Sequence, residues 1–193
     1  MLKRLINLIS LSQSQSIIRR YFVVNGFDGA LTMFGLILGF MLSADVHVPS
    51  VINVCLGAAI ALAVSGVSSA YVSERAERKL ILRQLEDAML SDLSDSSHAH
   101  AAAFVPVVVA LVNGLAPLVI SVLIMIPLWL NEAGFLWVSA PLWSSLCIAG
   151  LLLFILGVLL SGVAGIPWYF SGLKTLAIGF STALLIYFFV GPS

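Results

Sequence analysis

The sequence predicts an all-α, polytopic membrane protein with five transmembrane helices and a cytoplasmic amino terminus. Three observations carry that prediction. The 193 residues are 61% hydrophobic and only 9% charged, where soluble domains carry roughly 25% charged residues; mean hydropathy is +1.11. Five apolar runs, approximately 22–43, 50–72, 103–130, 138–164 and 173–190, are each close to the ~20 residues that a membrane helix needs. They are continuously apolar rather than alternating, which excludes membrane strands. Finally, if the spans alternate in direction, all nine basic residues fall on one side. Lys3, Arg4, Arg19 and Arg20 precede span one, Arg75, Arg78, Lys79 and Arg83 follow span two, and Lys174 follows span four. The positive-inside rule makes that side cytoplasmic.

The elements follow in order. Residues 1–20, "MLKRLINLISLSQSQSIIRR", place Leu2, Leu5, Ile6 and Ile9 at helical spacing, which predicts an amphipathic helix on the inner surface. The apolar stretch is too short and too broken for a signal peptide, and no small-residue cleavage site follows. Spans one and two occupy 21–72. A cytoplasmic helical linker covers 73–102, since no Gly or Pro stops a helix between span two and about residue 90. Spans three to five fill 103–193, with Trp129, Trp137, Trp143, Trp168 and Tyr169 at the breaks, where interfacial aromatics belong. Pro117 and Pro127 interrupt span three and predict a kink there.

Composition also excludes functions. The net charge of zero says nothing about nucleic acid, but no basic block suggests such a partner, and none is expected. Cys55 and Cys147 both lie inside apolar runs, so buried free thiols are expected rather than a disulfide or zinc site. His47, His98 and His100 lie outside the spans, which leaves an intramembrane hydrolase without a base. An enzyme is therefore not expected, nor a permanently bound cofactor. His98 and His100, in an extended linker, offer a weak metal pair.

Within span one, "NGFDG" puts Asp28 at the mouth of an apolar helix. A carboxylate there is protonated, snorkels to the interface, or shares a cation. Asp28, Thr32, Gly35 and Gly39 recur at steps of four, three and four residues, a small and polar stripe along one helix face. Asn25, three residues earlier, offers a second oxygen at the same mouth. Span two carries Gly57, Ala61, Ser65 and Ser69 at four-residue steps with Ser68 beside them, a pattern that permits close helix packing or lines a polar path. A symmetric dimer would bring two Asp28 carboxylates together where a dication passes, and a proton shared by the pair offers a route to coupling. Below the membrane, Glu74, Glu77, Glu86 and Asp87 alternate with Arg75, Arg78, Lys79 and Arg83. Pairs four apart, such as Glu74 with Arg78, read as a solvated, salt-bridged helix, while Glu74 and Glu77 would gather cations for a pore above.

Taken together, "RRYFVVNGFDGALTMFGLILGF", "GAAIALAVSGVSSAYVSERAE" and "GLAPLVISVLIMIP" resemble the first three spans of the vacuolar iron transporter family. That resemblance implies a homodimer with the ion path at its two-fold interface. It also implies export of Fe(II) or Mn(II) from the cytoplasm in exchange for protons, with Asp28 as the family's first-span acid. Two positions depart from the family pattern. Aligned on "AYVS", Gly66 stands where the family has Met, and Ala70 where it has Glu. An oxygen-only site suits Mn(II), Mg(II) or Ca(II) at least as well as Fe(II). A prokaryotic inner membrane or plasma membrane is expected ahead of a eukaryotic organelle membrane, which also fits the charge bias. The alternative is a dimeric membrane protein of the same fold that does not transport.

Overall fold

In the computed structural model the described residues are 14–43, 46–94, 96–135, 140–164 and 167–191. They form five helices: α1 (Ser14–Met41), α2 (Val48–Met89), α3 (Ser97–Glu132), α4 (Pro141–Ala164) and α5 (Trp168–Val190). All five are long and apolar enough to cross a membrane, and the described residues contain no strand. The amphipathic helix expected over 1–20 lies largely outside the described residues, as do Asp45, Asp95 and Trp137; from Ser14 onward the chain already belongs to α1.

The helix ends follow local chemistry. Pro49 sits in the first turn of α2 after an extended His47, a place where proline's missing N–H costs nothing. The same helix runs 42 residues, well past the apolar span, because 73–89 contains good helix formers and no breaker. It stops where Leu90 adopts the left-handed conformation, φ 47°, with its N–H bonded to the Glu86 carbonyl. α3 is capped by Ser96, whose hydroxyl accepts from the Ala99 N–H at 3.2 Å. Pro106, Pro117 and Pro127 all lie inside α3, which continues through them as one helix.

α3 is the central element, packed against α1, α2 and α4, while α5 lies on α4 and α1. Successive helices alternate in direction, so α1, α3 and α5 run the same way. Ile18 and Tyr21, early in α1, pack on Ala101, Val105 and Val109, early in α3. Leu38, late in α1, and Leu42, just past its end, share a groove with Leu184 and Tyr187, late in α5. The start of α1, the end of α2 and the start of α3 therefore meet at one end of the bundle, the basic end.

The core gathers Met33, Ile37, Val51, Cys55, Ile124, Met125, Leu128, Leu153 and their neighbours. Backbones approach closely at glycines. A Cβ on Gly29 would lie 2.7 Å from the Pro117 Cα, so α1 and α3 cross there almost backbone to backbone. Cys55 is buried as expected, but Cys147 is exposed on α4; apolar sequence around it reflects a face that a bilayer would cover, not the protein interior. The same holds for Leu151, Phe180, Phe188 and Phe189, all strongly exposed on α4 and α5.

Candidate functional site

Side-chain chemistry concentrates where α1, α2 and α3 meet. The α1 face built from Val23, Gly26, Ala30, Met33 and Ile37 is buried. At ~100° per residue, Asp28, Thr32, Gly35 and Gly39 lie roughly opposite it. Asp28 is exposed, and Thr32, Gly35 and Gly39 are half-buried. Among the described residues, Asp28 has no hydrogen-bond or ion-pair partner. A Cβ at Gly35 would meet only Ile186 Cδ1, at 3.4 Å, and at Gly39 nothing within 4 Å. Met33, adjoining the stripe in sequence, is fully buried in the core.

α2 repeats this division. Its buried face is Val51, Cys55, Ala59, Gly66, Ala70 and Glu74, and Gly57, Ala61, Ser65 and Ser68 point the other way, all exposed. A Cβ at Gly57 would meet nothing within 4 Å. The Ser68 hydroxyl donates to the Val64 carbonyl of its own helix at 2.8 Å, which satisfies it without a second helix. Within one chain, both small-residue stripes thus face outward.

Below Asp28 the stripe closes. Asn25 donates through Nδ2 to the Tyr21 carbonyl at 2.9 Å and also to Oδ1 of Asn113. Asn113 in turn donates through Nδ2 to the Gly66 carbonyl at 2.7 Å. A single buried amide of α3 therefore ties α1 to α2. One turn and more toward the basic end, the Tyr21 hydroxyl donates to Glu74 Oε1 at 3.3 Å, and Arg78 Nε lies 3.6 Å from Glu74 Oε2. Glu74 is only 4% exposed. Tyr21, Asn25, Asn113 and Glu74 all have hydrogen-bond partners, as a buried network requires.

The four linker acids differ in exposure. Glu74 is buried, Glu77 and Asp87 are exposed, and Glu86 is half-buried. Glu86 accepts the Leu93 N–H at 3.2 Å and so shapes the turn after α2. The Arg75 guanidinium donates to the Tyr71 hydroxyl at 2.6 Å and sits 5.6 Å from that ring's centre. His98 and His100 lie in the first turns of α3, not in an extended linker, where a spacing of two directs them apart. Among the described residues no group of three or more His, Cys, Asp or Glu is placed to hold a metal ion.

Gly66 has a structural explanation. A Cβ there would lie 3.0 Å from the Asn113 carbonyl oxygen and 3.1 Å from the Gly114 Cα. Glycine lets α2 and α3 touch at the level of the Asn113 bridge, and a methionine has no room. Sequence reasoning missed Tyr21 and Asn113. The signal for Asn113 was available, since it is the one side-chain amide in the third apolar run.

The fold and site define a class: a five-helix, all-α chain whose helices suit a bilayer and whose polar residues cluster at one three-helix junction. No protein-family model matches the chain, and no solved structure matches it. An uncharacterized protein of Methanocaldococcus jannaschii is 28% identical over 171 residues, covering 87% of this chain and 86% of the relative.

Proposed function

We propose that the chain is a multi-pass membrane transporter that exports a divalent cation from the cytoplasm, Mn(II) or Fe(II), through the interface of a homodimer. The observation that carries this reading is the outward placement of Asp28 at the foot of two small-residue faces. A surface of Gly, Ala, Ser, Thr and one carboxylate is a poor surface for lipid and a good one for a second copy. Pairing through it would set two Asp28 side chains across the two-fold axis, with Thr32 and Ser65 as neutral oxygen donors above. The polar cluster at Tyr21, Asn25 and Glu74 then lies on the cytoplasmic approach. Proton exchange follows from two carboxylates sharing a site, since the empty pair holds a proton that a dication expels.

The test is Mn(II) uptake into proteoliposomes by the wild-type chain and by Asp28→Asn. Uptake is expected from the wild type and should fall at least tenfold in the variant. Undiminished uptake would remove Asp28 from the path.

A second reading, a dimeric membrane protein that no longer transports, is favoured by α2. Gly66 serves a helix crossing and Ala70 is buried, so neither family ligand position can bind an ion. Absence of uptake of any divalent ion by the wild type would select that reading.

A further inference from the structure

The tail of α2 carries an apolar row that the bundle leaves uncovered. Residues 74–87 hold four acidic and four basic side chains, too many for hydrocarbon, so this part of α2 stands in water. Ile81, Leu85 and Met89 follow Glu74 at steps of seven, four and four, which keeps them within about 60° of its direction. That is the side on which the Tyr21 hydroxyl of α1 meets Glu74. Yet Ile81 is 47% exposed, Met89 59% and the adjoining Leu90 93%, with Leu85 half-buried. A row of apolar side chains facing water marks a surface that has a partner. The far end of the tail is acidic. From Gln84 to His98 the sequence has Glu86, Asp87, Asp92 and Asp95 and no Lys or Arg. Arg83, the last base before them, lies on the opposite side of α2 from Glu74.

We propose that residues 1–13 of the same chain cover this row, as an amphipathic helix laid antiparallel to the α2 tail. Reach and direction select them. α1 and α2 run in opposite directions, and Ser14 lies seven residues before Tyr21 as Ile81 lies seven after Glu74. α1 therefore begins about level with the first residue of the exposed row, and the chain ahead of it leaves the bundle beside the tail. Thirteen residues of helix span about 20 Å, whereas Ile81 to Met89 spans only about 12 Å. Composition selects them too. Leu2, Leu5, Ile6 and Ile9 supply an apolar stripe, and the only charges in the segment, Lys3 and Arg4, stand at its outer end, where the acidic tip of the tail lies. A bilayer surface would take the same stripe, but it would leave Ile81, Met89 and Leu90 bare and the tip acids without a counter-charge. The docking involves no transported ion and holds whether or not the chain transports.

Cysteine reactivity in the purified full chain, held in bilayer nanodiscs, tests this, with Cys147→Ser removing the exposed native thiol. Met89→Cys should react with a water-soluble maleimide severalfold faster once Leu5→Asn and Ile6→Asn are added. Equal rates would place the stripe elsewhere, on the bilayer surface or in water, and overturn the proposal. Oxidation of Ile6→Cys/Met89→Cys should form a disulfide within one chain, and Lys3→Glu/Arg4→Glu should slow it severalfold. The pair Ile6→Cys/Arg83→Cys, which uses the back of α2, should stay reduced. A disulfide that joins two chains would give the row to a second copy. Equal yields at positions 83 and 89, or a rate unmoved by the charge reversal, would mean that neither the apolar row nor the acidic tip holds the segment. Each of these results refutes the docking.

Discussion

The α2–α3 crossing gives the sharpest quantitative expectation, through Gly114→Ala. A methyl group placed on Gly114 would lie 2.3 Å from Val67 Cγ2, 2.4 Å from the Ala63 carbonyl oxygen and 3.1 Å from the Val67 nitrogen. A rotamer change in Val67 relieves the first clash. The second involves backbone and cannot be relieved that way. Ordinary carbon–oxygen contact needs ~3.4 Å, so α2 and α3 must separate by about 1 Å at this level. That movement also stretches the Asn113–Gly66 bond, now 2.7 Å, from the same direction. Overpacking of this kind costs about 1–3 kcal/mol. At roughly 2–4 °C per kcal/mol for a chain of this size, Tm should fall by about 2–12 °C.

Thermal unfolding in a fixed detergent, followed by helical circular dichroism, reads that shift, with Gly39→Ala as the control. Position 39 has nothing within 4 Å of a new Cβ, and Ala is the better helix former by up to ~1 kcal/mol. The control should therefore match or exceed the wild type. A Gly114→Ala protein that melts within about 1 °C of wild type would mean that the two helices do not cross at glycine, and the junction built on that crossing would fall with it.

Three further outcomes follow from the same geometry. Asn113→Ala leaves the Gly66 carbonyl and the Asn25 amide without their bridge and should cost about 1–2 kcal/mol, again read as a fall in Tm. A Cβ at position 57 meets nothing within 4 Å, so in Gly57→Leu Tm should hold while the dimer fraction in bilayers, counted by single-molecule photobleaching, drops severalfold. Between α2 and α3, the Ser94 N–H donates to the Asp92 carboxylate at 2.9 Å and holds that acid below its ordinary range. A depressed folded value means the turn's support is present above pH 3.8 and lost as the pH falls through the still lower folded value; Ser94 amide protection by hydrogen exchange should decline in step.

Which features were legible in the sequence depended on whether they are local. Five apolar runs map onto five helices because hydropathy over ~20 residues is a property of one segment. The long tail of α2 was legible too, since helix propensity and the want of a breaker are local. The direction in which a stripe faces is not local. Asp28, Thr32, Gly35 and Gly39 were readable as one face, but only the tertiary structure reveals that Met33 and Ile37 enter the core. Glu74 illustrates the same limit. Its sequence surroundings are those of a solvated helix, yet it is buried, with Tyr21 of α1 bonded to it. Gly66 looked like a lost ligand until the Asn113 and Gly114 backbone appeared against it.

α1 divides its labour between two faces, and this division connects stability to the proposed transport. The face through Gly29, Met33 and Ile37 is pinned to α3, with no slack at Gly29, where a Cβ would touch Pro117 on three atoms at 2.7–3.0 Å. A helix fixed that tightly does not slide to move an ion. Asn25 and Tyr21 anchor its lower end through Asn113 and Glu74. What remains free on α1 is side-chain motion at the exposed Asp28. On the proposed transport reading, gating falls on exchange of partners at Asp28, on a scaffold that glycine and asparagine hold still. The alternative, rocking of α1 against α3, requires the Gly29–Pro117 contact to open. Cysteines at positions 30 and 120, both buried on those helices, would report it. A spin-label distance between them that stays within about 2 Å on addition of Mn(II) agrees with charge exchange on a still scaffold. A shift of a full helical step of ~5 Å refutes it.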